Sequence, residues 1–326
     1  MATSLPNNRA ITNTRAEHVA DHNLIATLFG KISDVTLFGA VGDGVADDTS
    51  AIDDAITDAG AGGIVFFPSG TYLITSTLII KTHVMSSPDA IINYTGTGVA
   101  VQIGEVASAI DDVVAQLPRI QRPTNRWHTP SLAIASDTGL RIINCKNCII
   151  EFIRILDYSI GVECFGSDNG FADNVVRGQR ILNCAIGLKL DRFGSGWVSE
   201  AVYDIKKITV GDGILSGRVV GTRGVQKLTP NSNNVFRNIN FEGNRLEYAI
   251  EVHGNGGVFS NCRFESADND LDPNKFFIGD DATGWLFDNG PHLDDVEIDL
   301  EAGYTGTHNQ RRYINTTTGA TVEDAF

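Results

Sequence analysis

Two glutamates 23 residues apart carry the strongest chemical signal in this sequence. Asn238-Ile-Asn-Phe-Glu242 and Asn261-Cys-Arg-Phe-Glu265 are copies of one five-residue pattern. If each copy belongs to one winding of a repeating coil, Glu242 and Glu265 take equal places on neighbouring strands, with Cα atoms about 4.8 Å apart. Carboxylates that close raise the pKa of one of the two. A protonated acid beside a charged base is the arrangement that cuts a glycosidic bond. Arg263, two residues before Glu265, would steady an anionic sugar or the pair itself. The competing reading is a solvated surface ladder balanced by Arg245 and Arg263, because coupled carboxylates also occur for structural reasons.

A second group is Asp191, Trp197 and Glu200, in the Gly- and Ser-rich stretch LDRFGSGWVSE. A Trp on a loop can stack on a sugar ring, or fold back to cover apolar surface at the coil edge. Glu251, with His253 two residues on, is a further candidate contact to substrate, although a lone His is more often a surface residue than a base. Arg119, Arg122 and Trp127 fall in the one locally basic, aromatic stretch, residues 105–137. Arg and Trp are common interface anchors, so an interface between subunits is expected there, with an acidic saccharide as the alternative.

The elements that must position these residues are short strands. Glycine is abundant at 34 residues and proline sparse at 9, which favours tight turns and β structure over long helices. Asn238–Glu242 alternates, placing Ile239 and Phe241 on one face and Asn240 and Glu242 on the other. The copy at 261–265 then stacks Cys262 under Ile239 and Phe264 under Phe241. Asn238 over Asn261 would make a short ladder at a turn, where Asn tolerates the left-handed conformation. Ser159-Ile-Gly-Val-Glu163 repeats as Ala185-Ile-Gly-Leu-Lys189 and Ala249-Ile-Glu-Val-His253. Spacings of 23 and 26 suit one coil of a solenoid each.

Near the start, GAVGDGVADDTSAIDDAI (residues 39–56) reads as a glycine turn and a helix to about Gly60, capped by Asp47, Asp48 or Thr49. GGIVFFPSGTYLI (residues 62–74) then reads as two strands about a turn. These two segments resemble the opening of pectate-lyase-superfamily proteins, in which a capping helix closes a right-handed β-helix. Residues 99–104, 117–120, 139–145 and 196–198 follow in the order seen in tailspike-like members from phages. The resemblance covers roughly residues 34–270. It implies an all-β fold, a right-handed single-stranded parallel β-helix. Outside its reach, residues 1–33 read as a short helical arm and residues 271–326 as C-terminal strands or a cap. The arm contains a helically periodic segment, residues 16–32, suited equally to docking or trimerisation and to packing on its own domain.

Five cysteines, an odd number at low density, argue against a disulfide framework. Cys145 and Cys148 lack a partner pair at zinc spacing and read as buried thiols. The loop from Asp43 to Asp48 lacks an EF-hand's spacing, so no metal and no cofactor are expected. A net charge of −15 without a basic stripe argues against nucleic acid as partner. No apolar run is long enough for a membrane helix, and the N-terminus has no secretory pattern.

Three functions then compete. The first, implied by the resemblance, is a phage tail spike or fibre. It would be a homotrimer in the virion, made in the host cytoplasm, held to other tail or baseplate proteins by the arm. It would bind host capsular polysaccharide or lipopolysaccharide, and cleave it if the glutamates are catalytic, by hydrolysis rather than lysis. The second is a free polysaccharide lyase, hydrolase or epimerase, which would need export. The third is a catalytically silent rod or adhesin, which the modest length favours.

Overall fold

Short strands separated by left-handed turns make the chain wind rather than form a layered sheet. The computed structural model describes residues 31–123, 137–209, 222–230, 233–242, 247–265, 275–288, 293, 296–307, 309–314 and 321–326. Its strands stack winding on winding into a 19-stranded, a 9-stranded and a 4-stranded sheet. One winding runs Thr138–Ile143, Cys145–Lys146, Ile149–Leu156, and the next runs Ile160–Gly166, Phe171–Ala172, Val175–Leu182, each strand contributing to a different sheet. Equivalent strands pair in parallel, as with Glu163 and Lys189 or Ile150 and Val176. The chain is therefore a right-handed parallel β-helix, the hand that parallel crossovers take.

The turns are built as the sequence suggests. Asn238 and Asn261 have φ of 59° and 52°, and the Asn261 amide donates to the Asn238 Oδ1 at 2.9 Å. Asn147, Asp173 and Glu200 mark another corner in successive windings, again at positive φ. Inside, Phe241 and Phe264 stack with centroids 5.1 Å apart and planes 3° from parallel. Tyr203, Phe236, Phe259 and Phe287 form a second internal pile, one ring per winding. Each such pair adds about 0.5–1.5 kcal/mol beyond area burial. All five cysteines are free and buried.

The N-terminal end is closed by helix α1 (Thr49–Ala59), which presents Ile52 and Ala55 to the core. The Asp47 carboxylate accepts from the Thr49 N–H and so serves its first turn. Asp48 instead turns its carboxylate back to the backbone N–H groups of Val41 and Gly42. Asp43 accepts from Val45 and Ala46 within its own loop. The expected arm, residues 1–33, lies outside the described residues up to residue 30. At its C-terminal edge Ile32–Asp34 is a strand of the large sheet, paired with Ile64–Phe67, so the expected helix does not reach residue 32. Parallel windings run on past residue 270 through Gln310–Ile314, and the returning antiparallel strand Thr321–Ala325 closes that end. Among the described residues no helix is long and apolar enough to cross a membrane.

Candidate functional site

Stacked windings turn single positions into columns on the outside of the rod. On the large sheet, Gln116, Glu151, Arg177, Asp204 and Arg237 stand in register. Their charges alternate. Arg177 pairs with Glu151 at 3.2 Å and Arg237 with Asp204 at 3.0 Å. Immediately beside them the strands bend. Lys206 separates Val202–Ile205 from Lys207–Thr209, and its N–H bonds the Gly178 carbonyl at 2.9 Å. A groove of about 450 Å³ lies at this bend, lined by Gln116, Glu151, Arg177, Gln179, Asp204 and Lys206 over Leu117 and Phe152. Gly178 is required there, because a Cβ would sit 2.1 Å from the Phe152 ring. Amide, carboxylate and cationic groups beside an apolar floor are what a sugar polymer's hydroxyls and ring faces need.

The predicted glutamate pair lies on the same sheet. Glu242 and Glu265 are in register on paired strands, as are Asn240 and Arg263. The Glu242 carboxylate is engaged by Lys207 and by the Asn240 amide at 3.0 Å. The side chain of Glu265 lies outside the described residues.

The other predicted residues do not join this pair. Asp191 sits in Ile186–Arg192 of the second sheet, paired with Lys189 at 2.6 Å. Trp197 precedes Val198–Ser199 of the third sheet and lies flat over Gly170, whose Cβ would fall 2.1 Å from the indole. Lys146 approaches the ring, its Nζ 5.9 Å from the centroid. The neighbouring Phe193 is the exposed aromatic of this loop, at 68%. Glu200 occupies the left-handed corner described above. Sequence proximity brought these three together, but the winding distributes them over different sheets and a corner.

Arg122 departs from expectation. It is 4% exposed, pairs with Asp137 at 2.6 Å, and lies between the rings of Tyr94 and Tyr158. It is an interior ion pair and not an interface anchor. A buried arginine with a partner reads in sequence like any surface arginine. Arg119 is on the surface, 3.6 Å from Asp89. Trp127 lies outside the described residues.

On the second sheet Glu251 is buried among cations. Arg223 and His253 bind its carboxylate, and Gln226 donates to it at 3.1 Å. Burial opposes its charge, but these partners outweigh burial and hold it at about 2. The hydrogen bond to Glu251 raises the His253 pKa against the effect of burial, helped by Asp281 and Glu301. Tyr248 and Phe277 meet edge to face beside this cluster at 5.3 Å. Inside the coil, Lys227 donates to the carbonyls of Thr229, His253 and Asn255. The groove residues Glu151, Arg177 and Asp204 were missed by sequence reasoning. Extending the 26-residue offset of Glu163 and Lys189 to the preceding strand would have aligned Glu151 with Arg177.

The fold defines the class, a right-handed parallel β-helix, and the comparisons show what its opening windings resemble. Residues 32–93 match the family model described as Rhamnogalacturonase A/epimerase, pectate lyase-like. A stretch of 50 residues is 54% identical to Plasmin and fibronectin-binding protein A of Streptococcus pneumoniae, covering 14% of this chain and 7% of that protein. Among solved structures, the surface adhesin PfbA of Streptococcus pneumoniae superposes with a TM-score of 0.50 at 13% identity, over 90% of this chain and 94% of that one. The iota-carrageenase of family GH82 from A. fortis also gives a TM-score of 0.50, at 15% identity, over 79% of this chain and 55% of the enzyme.

Proposed function

We propose that this chain is a glycan-binding rod of a bacteriophage tail, which holds host capsular polysaccharide or lipopolysaccharide against the outer face of its large sheet. The observation that carries the reading is the groove at the strand bend, where Gln116, Gln179 and Asp204 face one cleft over an apolar floor. The sequence resemblance to tailspike-like proteins supports the tail assignment. Three copies lie side by side, the arm of residues 1–33 docks on other tail proteins, and the assembled chain resides in the virion after synthesis in the host cytoplasm.

The test is a Gln116→Ala, Gln179→Ala, Asp204→Asn triple variant titrated with host capsule and lipopolysaccharide. Gln116 and Gln179 are exposed and Asp204→Asn keeps the side-chain volume, so the melting temperature should stay within a few degrees while binding weakens tenfold or more. Unchanged binding would remove the groove from the account. Light scattering should return the mass of a trimer, and a monomer would contradict the assembly.

If the rod also cleaves, Glu242→Gln should abolish release of reducing ends without loss of binding. A catalytically silent adhesin is the second reading, favoured because the described carboxylates of this face are already tied to cations: Glu151 to Arg177, Asp204 to Arg237 and Glu242 to Lys207. Persistent binding with no new reducing ends would decide for it.

A further inference from the structure

One column of the large sheet stacks cation on cation over successive windings. Arg154 and Arg180 are in register. The pairing of Ile120 with Ile155 places Arg119 one winding before Arg154, and the pairing of Ile181 with Ile208 places Lys207 one winding after Arg180. Asn240 and then Arg263 continue the line. From Arg119 to Arg263 the column climbs five windings, about 24 Å at the usual strand spacing. Like charges directly opposite on paired strands repel. Two other columns avoid this by alternating sign: Glu151, Arg177, Asp204 and Arg237, and, on the second sheet, Arg141, Glu163 and Lys189.

Among the described residues the centre of the column also makes no ion pair. Arg119 has the exposed Asp89, and Lys207 has Glu242. Arg154 bonds only a neutral oxygen, Gln121 Oε1 at 2.6 Å, and its buried Nε has no hydrogen-bond partner. Arg180 is exposed and makes no ion pair among the described residues. Burial, with Arg119 and Arg180 close by, lowers the pKa of the Arg154 guanidinium, and Asp157 offsets only part of this. On a chain of net charge −15, a single-sign stripe of cations is a local field of opposite sign to the molecule as a whole, and such a field draws in anionic ligands.

We propose that Arg119, Arg154, Arg180 and Lys207 form a subsite for a linear acidic glycan, one that carries a carboxylate or sulfate on successive sugars. The rise per winding is close to the rise per sugar of an extended polymer, so one anionic group meets one cation at each step. Guanidinium groups match carboxylate and sulfate oxygens in paired hydrogen bonds. Leu156 and Leu182, in register in the strand positions just beyond, give ring faces a part-apolar border. The inference rests on the proposed glycan-binding function and supplies its substrate class.

The experiment titrates the full chain with three oligosaccharides of about equal length: an oligogalacturonate, a sulfated galactan fragment and a neutral dextrin. Each is measured at low and high salt, against the wild type, Arg154→Gln/Arg180→Gln, and the single exposed variant Arg180→Glu, which keeps the fold testable if the double variant melts early. The wild type should prefer an acidic ligand at least tenfold, whether carboxylated or sulfated, with affinity falling steeply in salt. Both variants should lose that preference while neutral binding is unchanged. Equal acidic binding by wild type and variants overturns the subsite, as does a wild-type preference for the dextrin. Failure to bind acidic ligand, with Arg180→Glu shifting the oligomeric state, assigns the column to a second copy instead. Neutral glycan bound at the groove and lost in the groove variant leaves the proposed function standing while this inference falls. No glycan binding of any kind rejects both.

Discussion

Arg122 and Asp137 sit inside the coil where neither reaches solvent, so each depends on the other for its charge. Removing one partner strands the other, and Arg122→Ala should cost about 3–5 kcal/mol in urea unfolding. Replacing both by apolar residues of similar volume should recover much of that loss. The Glu251–His253 pair makes a pH prediction of the same local kind. Glu251 is held at about 2, below its ordinary 4.5, so its contribution is full above pH 4.5 and disappears as pH falls toward 2. His253 is raised above 6.5, so its contribution is full below 6.5 and is lost as pH rises through the raised value. Chemical denaturation across pH should therefore peak between these limits, and His253→Gln should flatten the alkaline side while shrinking the acid side only in part, because Arg223 and Gln226 still hold Glu251. An unchanged alkaline slope would show that His253 is not the group responsible.

At the scale of the strand and its turn, the repeat is held by like over like. Phe264→Ala removes one member of the Phe241 stack and opens a cavity between windings, an expected loss of about 3–5 kcal/mol. Asn261→Ala forces a β-carbon residue without a turn-forming side chain into φ near +52° and breaks the bond to Asn238, so it should cost more than the same change at an exposed strand position. These contacts were legible in the sequence because apolar alternation with a fixed offset has only one stacked solution. The cap was legible in kind but not in detail, since Asp47 and Asp48 are chemically equivalent until the chain's path separates them. The outer columns were not legible. Glu151, Arg177 and Asp204 take outward places on alternating strands, but that they share a column, and that Arg154 and Arg180 are neighbours, follows only when the exact offset of each winding is known. Trp197, Asp191 and Glu200 erred in the opposite direction, since residues adjacent in sequence diverge once the chain turns two corners.

The whole molecule is a rod whose length multiplies each outward position into a ladder. Stability comes from the inside of the ladder and recognition from the outside, so the two respond to different substitutions. Changes to Phe236, Phe259 or Arg122 should lower the melting temperature, whereas changes to Gln116, Gln179 or Arg180 should alter binding alone. A rod also predicts how affinity depends on ligand size, because each added sugar meets another winding until the face is spanned. The most direct measurement is isothermal titration of the intact chain with a graded series of host-polysaccharide oligomers. The account predicts affinity that climbs steadily with chain length over the first several sugars and then levels off. Affinity that is independent of length, or absent throughout the series, would contradict it.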